Sequence, residues 1–208
     1  MDRNQLYDAT ARERRRIADL LDGLDAAQLA TPSLCEGWDV KTVGAHLVSV
    51  LAGGIRRVNW WTLRLGSADR AMDELARRHA RLPPAEIAAA LRELADHRYW
   101  RPPPKAPGLL AEVLVHSGDM RIPLGLACEP DPHLTATAMD FLTGPWPMGV
   151  VPLGRLRGIR WRATDMDRSW GEGQEIRGRA AELMMAAASR TQVLDALEGP
   201  GLARLRQR

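Results

Sequence analysis

The sequence predicts a mainly α-helical chain: an up-down helical bundle followed by a small α/β tail. Two observations carry that reading. Through most of the chain apolar residues return every three to four positions among charged ones, the spacing of amphipathic helices. Beyond Gly144 the pattern changes, and LRGIRWRATD alternates apolar and polar residues as a half-buried strand does. The 208 residues suffice for one sizeable domain or a larger plus a smaller one. We place the boundary at residue 147, giving a bundle over 1–147 and an α/β extension over 148–208.

In chain order, residues 3–29 carry Leu6, Ile17, Leu20, Leu21, Leu24 and Leu29 on a helical stripe. TPSLCEGWD follows, rich in turn formers. Asp39 is placed to cap a helix whose face is Val43, Leu47, Val50, Leu51 and Gly54, with His46 on the same stripe. Residues 69–82 and 84–99 read as two shorter helices parted by Pro83 and Pro84. PPPKAPG, residues 102–108, breaks the chain before a further helix, LLAEVLVHSGDM, at 109–120. PLGLACEPDPH is a loop, and 134–142 a last bundle helix. GPWPMGVVPLG is a Pro/Gly connector, GEGQEIRG holds a second strand after a tight glycine turn, and 180–188 is helical.

Composition excludes several classes. With 45% hydrophobic and 26% charged residues the chain is not intrinsically disordered. Seven Trp against two Tyr and one Phe, with very few Lys, reads as a GC-rich coding bias rather than chemistry. The net charge of +3 is spread with acids among the arginines, which describes a solvated mixed surface and no nucleic-acid partner. Cys35 and Cys128 form neither a CxxC pair nor a disulfide framework, as suits a reducing compartment. The first residues are too charged for a signal peptide, and no apolar run approaches the roughly 18 residues of a membrane span. The expectation is a soluble cytoplasmic monomer or homodimer with no membrane partner.

Glu112 and His116 stand four residues apart in an otherwise apolar run, so on a helix they share one face. Polar groups turned toward a core need partners, because an unpaired one costs roughly 1–3 kcal/mol. Taken singly, each has an ordinary explanation. A lone His such as His46 on an apolar stripe is most often a hydrogen-bonded core residue, and a Glu/His pair at i, i+4 is most often a local contact. Taken together, His46, Glu112 and His116 form a candidate metal site of the kind that bundle cores build from facing helices. Two imidazoles and a carboxylate suit Zn2+, and also Fe(II) or Ni(II). Three protein ligands leave a position open for water or an exogenous ligand. His79 and His97 lie in Arg-rich helices and His133 in a Pro-flanked loop; none of the three is assigned a function.

TPSLCEGWDVKTVGAHLVSV at 31–50 and AEVLVHSGDMRIPLG at 111–125 together resemble the mycothiol-dependent maleylpyruvate isomerase family, a branch of the DinB-like metal-binding four-helix bundles. RATDMDRSWGEGQEIRG and LEGPGLARL are similar to the carboxy-terminal extension of many members, so the likeness runs over nearly the whole chain. The resemblance implies a divalent metal, usually zinc, on His46, Glu112 and His116. Asp119, one turn beyond His116, is placed either to orient that imidazole from behind or simply to begin the helix's end. The resemblance also implies mycothiol as thiol cosubstrate and a small electrophile as substrate, in S-transfer or thiol-assisted cis-trans isomerisation. The alternative is a non-catalytic bundle binding metal or ligand in a stress or regulatory role.

Outside the implied ligands, Arg121 and Arg162 are weak candidates for holding an anionic group of cofactor or substrate. For each, an ordinary ion pair is the commoner role, at a strand edge in the case of Arg162. Cys35 reads as a packing residue, with no His or cation adjacent in sequence. The tail from residue 150 reads as short for the isomerase's complete second domain, which leaves maleylpyruvate itself open as substrate.

Overall fold

In a computed structural model of the chain, the described residues are 1–98, 106–145, 147, 151 and 154–206, with the side chains of 54–56 also outside the description. The Pro-rich breaks expected at 102–108 and 144–154, the second with the boundary at 147, fall partly outside these residues. The elements in order are α1 (Arg3–Gly23), α2 (Ala26–Leu29), α3 (Val40–Leu65), α4 (Ala68–His79), α5 (Pro84–Glu93), α6 (Ala106–Arg121) and α7 (Pro132–Leu142). Then come β1 (Ile159–Ala163), β2 (Ser169–Trp170), β3 (Gln174–Gly178), α8 (Ala180–Ala187), a 3-10 turn (Thr191–Ala196) and α9 (Gly201–Arg206). The mainly helical class with a small C-terminal sheet is as the sequence predicts. No helix among the described residues is long and apolar enough to cross a membrane.

Contacts divide the chain into two compact units, Met1–Pro102 with Asp119–Leu126, and Pro103–Gly118 with Ala127–Arg208. The first unit packs α1 on α5 and α3 on α4. Its interior is built from Ile17, Ala18 and Leu21 of α1, Val43 and Leu47 of α3, Leu75 and Ala76 of α4, and Ile87 and Leu91 of α5. Gly44 lets α1 and α3 approach: a Cβ there would fall 2.7 Å from Leu21 Cδ1. Asp39 caps α3 as predicted, its carboxylate accepting from the Thr42 N–H at 2.7 Å, where a negative charge also suits the positive end of the helix dipole.

Several helix boundaries depart from the sequence reading: α4 closes at His79 rather than at 82, and α6 already begins at Ala106, inside the break expected over 102–108. The helix expected over 3–29 is two, because Leu24 adopts an extended conformation and Asp25 opens α2 with its own capping box to Gln28. The helix expected over 84–99 closes at Glu93, after which buried Arg14 donates from Nη1 to the carbonyls of Ala95 and His97 at 2.9 and 3.0 Å. That satisfies acceptors a continued helix would have used. His133, read as a loop residue, lies in the first turn of α7, which begins at Pro132. Asp131 is its N-cap, accepting from the N–H groups of His133 and Leu134.

In the second unit the sheet order is β2-β1-β3, with β1 antiparallel to β2 and parallel to β3. The predicted alternation holds: Ile159, Trp161 and Ala163 are buried, while Arg160 and Arg162 face solvent. α8 packs on β1, β3 and α7 and is buried almost all round through Leu183, Met184 and Met185. The tight turn between β2 and β3 depends on Gly173, at φ +126, where a Cβ would stand 2.2 Å from the Gly158 carbonyl oxygen. Gly118 in α6 has a spacing role instead, since a Cβ there would meet the Met185 sulfur at 2.6 Å. α8 therefore backs α6 one turn or less from His116.

Asp39 is the cap of the helix that carries His46, so its loss is expected to be measurable. Asp39→Ala should lower the free energy of unfolding by about 0.5–2 kcal/mol, read from urea denaturation. An unchanged midpoint would contradict the capping role.

Candidate metal centre

His46 lies in the second turn of α3 and is 6% exposed. Glu112 and His116 lie one turn apart in α6, both half-buried. Each of these three residues offers a ligand atom, and the three atoms lie within 4.8 Å of one another. The three residues that the sequence reading joined are thus brought together. The donor set also fits a divalent ion chemically, since imidazole nitrogen and carboxylate oxygen are both ligands that Zn2+ takes.

A second group shares His116. Cys35, His116 and Asp119 likewise offer ligand atoms within 4.8 Å of one another. Asp119 is fully buried, and the Cys35 thiol donates to its Oδ2 at 3.0 Å. The Leu34 N–H donates to the Asp119 carbonyl at 3.2 Å, which brings the loop before α3 against the end of α6. This corrects the reading of Cys35 as a thiol with no histidine beside it. Residue separation in the chain concealed a contact made by folding.

Arg121 closes α6, five residues beyond His116. Arg162 is exposed on β1, which is the central strand rather than the edge expected, and makes no ion pair among the described residues. His79 Nδ1 donates to the Leu75 carbonyl, 2.9 Å away, as an ordinary helix-end contact. A cavity of about 690 Å³ lined by Arg57, Trp60, Trp61, Leu75, Arg78, His79 and Leu82 does not include the candidate ligands. Its α3 residues stand at least eleven positions beyond His46 in that helix, about 16 Å along its axis.

Sequence reasoning missed the surroundings of His46. The Trp38 ring lies 5.0 Å from the imidazole, centroid to centroid, at 42°. Trp38 Nε1 donates to Asp73 Oδ1 at 2.7 Å, and Arg77 Nε donates to both Asp73 oxygens at 2.9 and 3.0 Å. Burial alone pushes the Asp73 carboxyl up. The hydrogen bonds from Arg77 and Trp38 and the Arg77 charge outweigh it and hold the group below its ordinary value. The signal available in sequence was GW at 37–38 with D and R four apart at 73 and 77; nothing in it joins the two stretches.

A helical chain with an imidazole–imidazole–carboxylate group, ending in a small α/β unit, defines a class of candidate metal-binding bundle proteins. Residues 10–107 match the family model described as "Mycothiol maleylpyruvate isomerase N-terminal domain". That segment contains His46; Glu112 and His116 lie beyond it. A crystal structure described as the mycothiol-dependent maleylpyruvate isomerase is similar at 16% identity and TM-score 0.66, over 96% of this chain and 93% of that one. The structure of a histidine-to-alanine mutant of that isomerase is similar at 15% identity and TM-score 0.64, with the same coverage. No curated protein matches. The resemblance carried by the first motif, at 31–50, is thus met by the family model, and the expected fold by the structural match. The tail is also not short, since the structural match leaves little of either chain over.

The Asp73 contacts make a pH prediction. A carboxyl held below its unfolded value, near 3.9, stabilises the fold above that value and loses the contribution as pH falls through its lower folded value. The stability difference between the native chain and Asp73→Asn should therefore be present at neutral pH and close in acid, below about pH 4. Urea melts at stepped pH check it; a difference independent of pH would contradict the assignment.

Proposed function

We propose that the chain is a mycothiol-dependent metalloenzyme acting on a small electrophile, by S-transfer or by thiol-assisted cis-trans isomerisation. The observation that carries this is the grouping of His46, Glu112 and His116. The match of residues 10–107 to the isomerase's N-terminal domain supports the choice of thiol.

In this reading His46 and His116 bind as neutral imidazoles and Glu112 as a carboxylate. Asp119, beside His116, fixes that ring's tautomer and direction. When bound, a divalent ion, most simply Zn2+, supplies an acidified thiol at neutral pH, since coordination favours the thiolate. The three ligands leave a position open for that sulfur. Arg121, and more weakly Arg162, are placed here as guanidinium partners for an anionic group on thiol or substrate.

The two chemistries differ in one bond. In isomerisation the sulfur adds to an activated double bond, the resulting single bond rotates, and the same C–S bond breaks to release both thiol and product. In S-transfer the C–S bond persists and the electrophile's leaving group departs with its electron pair.

Chain purified without chelator should carry about one zinc or similar ion, and His46→Ala or His116→Ala should lose it. Zinc at about 100 times its Kd should raise the unfolding free energy by about 2.7 kcal/mol. A metal-free chain whose stability zinc leaves unmoved would contradict the reading. Calorimetric titration of mycothiol into the zinc-loaded chain should saturate. Absence of binding at millimolar thiol would favour a bundle that binds metal without thiol chemistry.

A further inference from the structure

We infer that Asp73 is a positioning residue for His46, acting through the indole of Trp38. The inference rests on the reading of His46 as a metal ligand, and it concerns residues that nothing in the family match singles out.

The loop before α3 holds Trp38 by its backbone. Pro32 and Asp39 form a β-bridge, and the Val40 N–H donates to the Thr31 carbonyl at 3.0 Å. The Trp38 carbonyl accepts from both the N–H and the hydroxyl of Ser33, each at 2.9 Å, while its own N–H donates to the Cys35 carbonyl at 3.1 Å. A backbone so fixed still leaves the indole its two side-chain torsions. The 2.7 Å bond from Nε1 to Asp73 Oδ1 removes that freedom at the far edge of the ring.

Asp73 is itself held. Arg77, one turn on in α4, bonds both its oxygens, and Arg77 Nη2 donates to the Gly37 carbonyl at 3.0 Å. The guanidinium thus ties the residue preceding Trp38 to the carboxylate that Trp38 addresses. A carboxylate suits this place because it accepts from two side chains at once and strengthens both bonds by its charge.

The indole so fixed lies tilted against the His46 ring. The second side-chain torsion of histidine is broad and roughly two-fold, so an imidazole on a helix does not choose its ring direction by itself. A ligand must be held within about 0.5 Å and 10–20° of its productive geometry. Trp38 closes one side of the space in which the ring can turn. A Trp serving only to fill the core needs no charged acceptor for its N–H, nor a second residue to anchor that acceptor.

Co2+ reports ligand geometry through its visible absorption as well as through affinity. Native chain, Trp38→Phe, Asp73→Leu and Asp73→Asn would be titrated with Co2+, beside Glu74→Gln, which removes the pair with Arg78 while leaving the Trp38–Asp73–Arg77 hydrogen bonds in place. Circular dichroism and thermal melts of the metal-free chains would run in parallel. Trp38→Phe and Asp73→Leu should weaken Co2+ binding about tenfold and shift its band. Asp73→Asn, which keeps one oxygen for the indole, should recover much of both, and Glu74→Gln should match the native chain. Native spectrum and affinity in Trp38→Phe and Asp73→Leu would overturn the positioning role while leaving the metal site standing. So would a Co2+ affinity that falls only in proportion to melting temperature, Glu74→Gln included. A native chain that binds no Co2+ would overturn the metal reading and this inference with it. Where Asp73→Leu does not fold, Trp38→Phe and Asp73→Asn decide the question.

Discussion

Two imidazoles and a carboxylate, each with a ligand atom within 4.8 Å of the others, share one small space, at which His46 is only 6% exposed. Away from water every charge interaction in such a space is strengthened. In the proposed function the space belongs to a divalent ion that takes one ligand atom from each group, and the remainder of the structure makes sense as support for that arrangement.

The support is local in each unit. In the first, Asp39 starts α3, Gly44 sets its distance from α1, and the Asp73–Trp38 contact lies against the imidazole. In the second, Gly118 admits Met185 of α8 to the back of α6. α8 is in turn fixed by the buried face of a three-stranded sheet. The α/β tail thus braces the helix that carries Glu112 and His116, whatever else it contributes. Rigid elements rather than loops present the candidate ligands, which is how a geometry tolerant of only about half an ångström would be kept.

Much of this was legible in the sequence because it is written in short range. The period of apolar residues located α1, α3 and α6; Asp39 announced a cap; IRWRA announced a strand by alternation. Glu112 and His116 share a face because they are four apart. What the sequence hid depends on contacts between distant stretches or on single backbone torsions. Leu24 leaves the helix although its neighbours continue the stripe. Arg14 reaches 81 residues along the chain to end α5, and Trp38 meets Asp73 across 35. Cys35 looked inert because Asp119 and His116 are remote from it in sequence. Arg162 was expected at a sheet edge, a matter of strand order that no single strand's pattern contains.

The central claim is that two imidazoles and one carboxylate hold a divalent ion with a place left for a thiol. Zinc K-edge X-ray absorption on the loaded chain, before and after mycothiol, tests it most directly. The account predicts a nitrogen/oxygen shell at about 2.0–2.2 Å with the outer-shell scattering of two imidazoles, joined on adding thiol by one sulfur at about 2.3 Å. A shell without imidazole scattering, or one that mycothiol leaves unchanged, would contradict it.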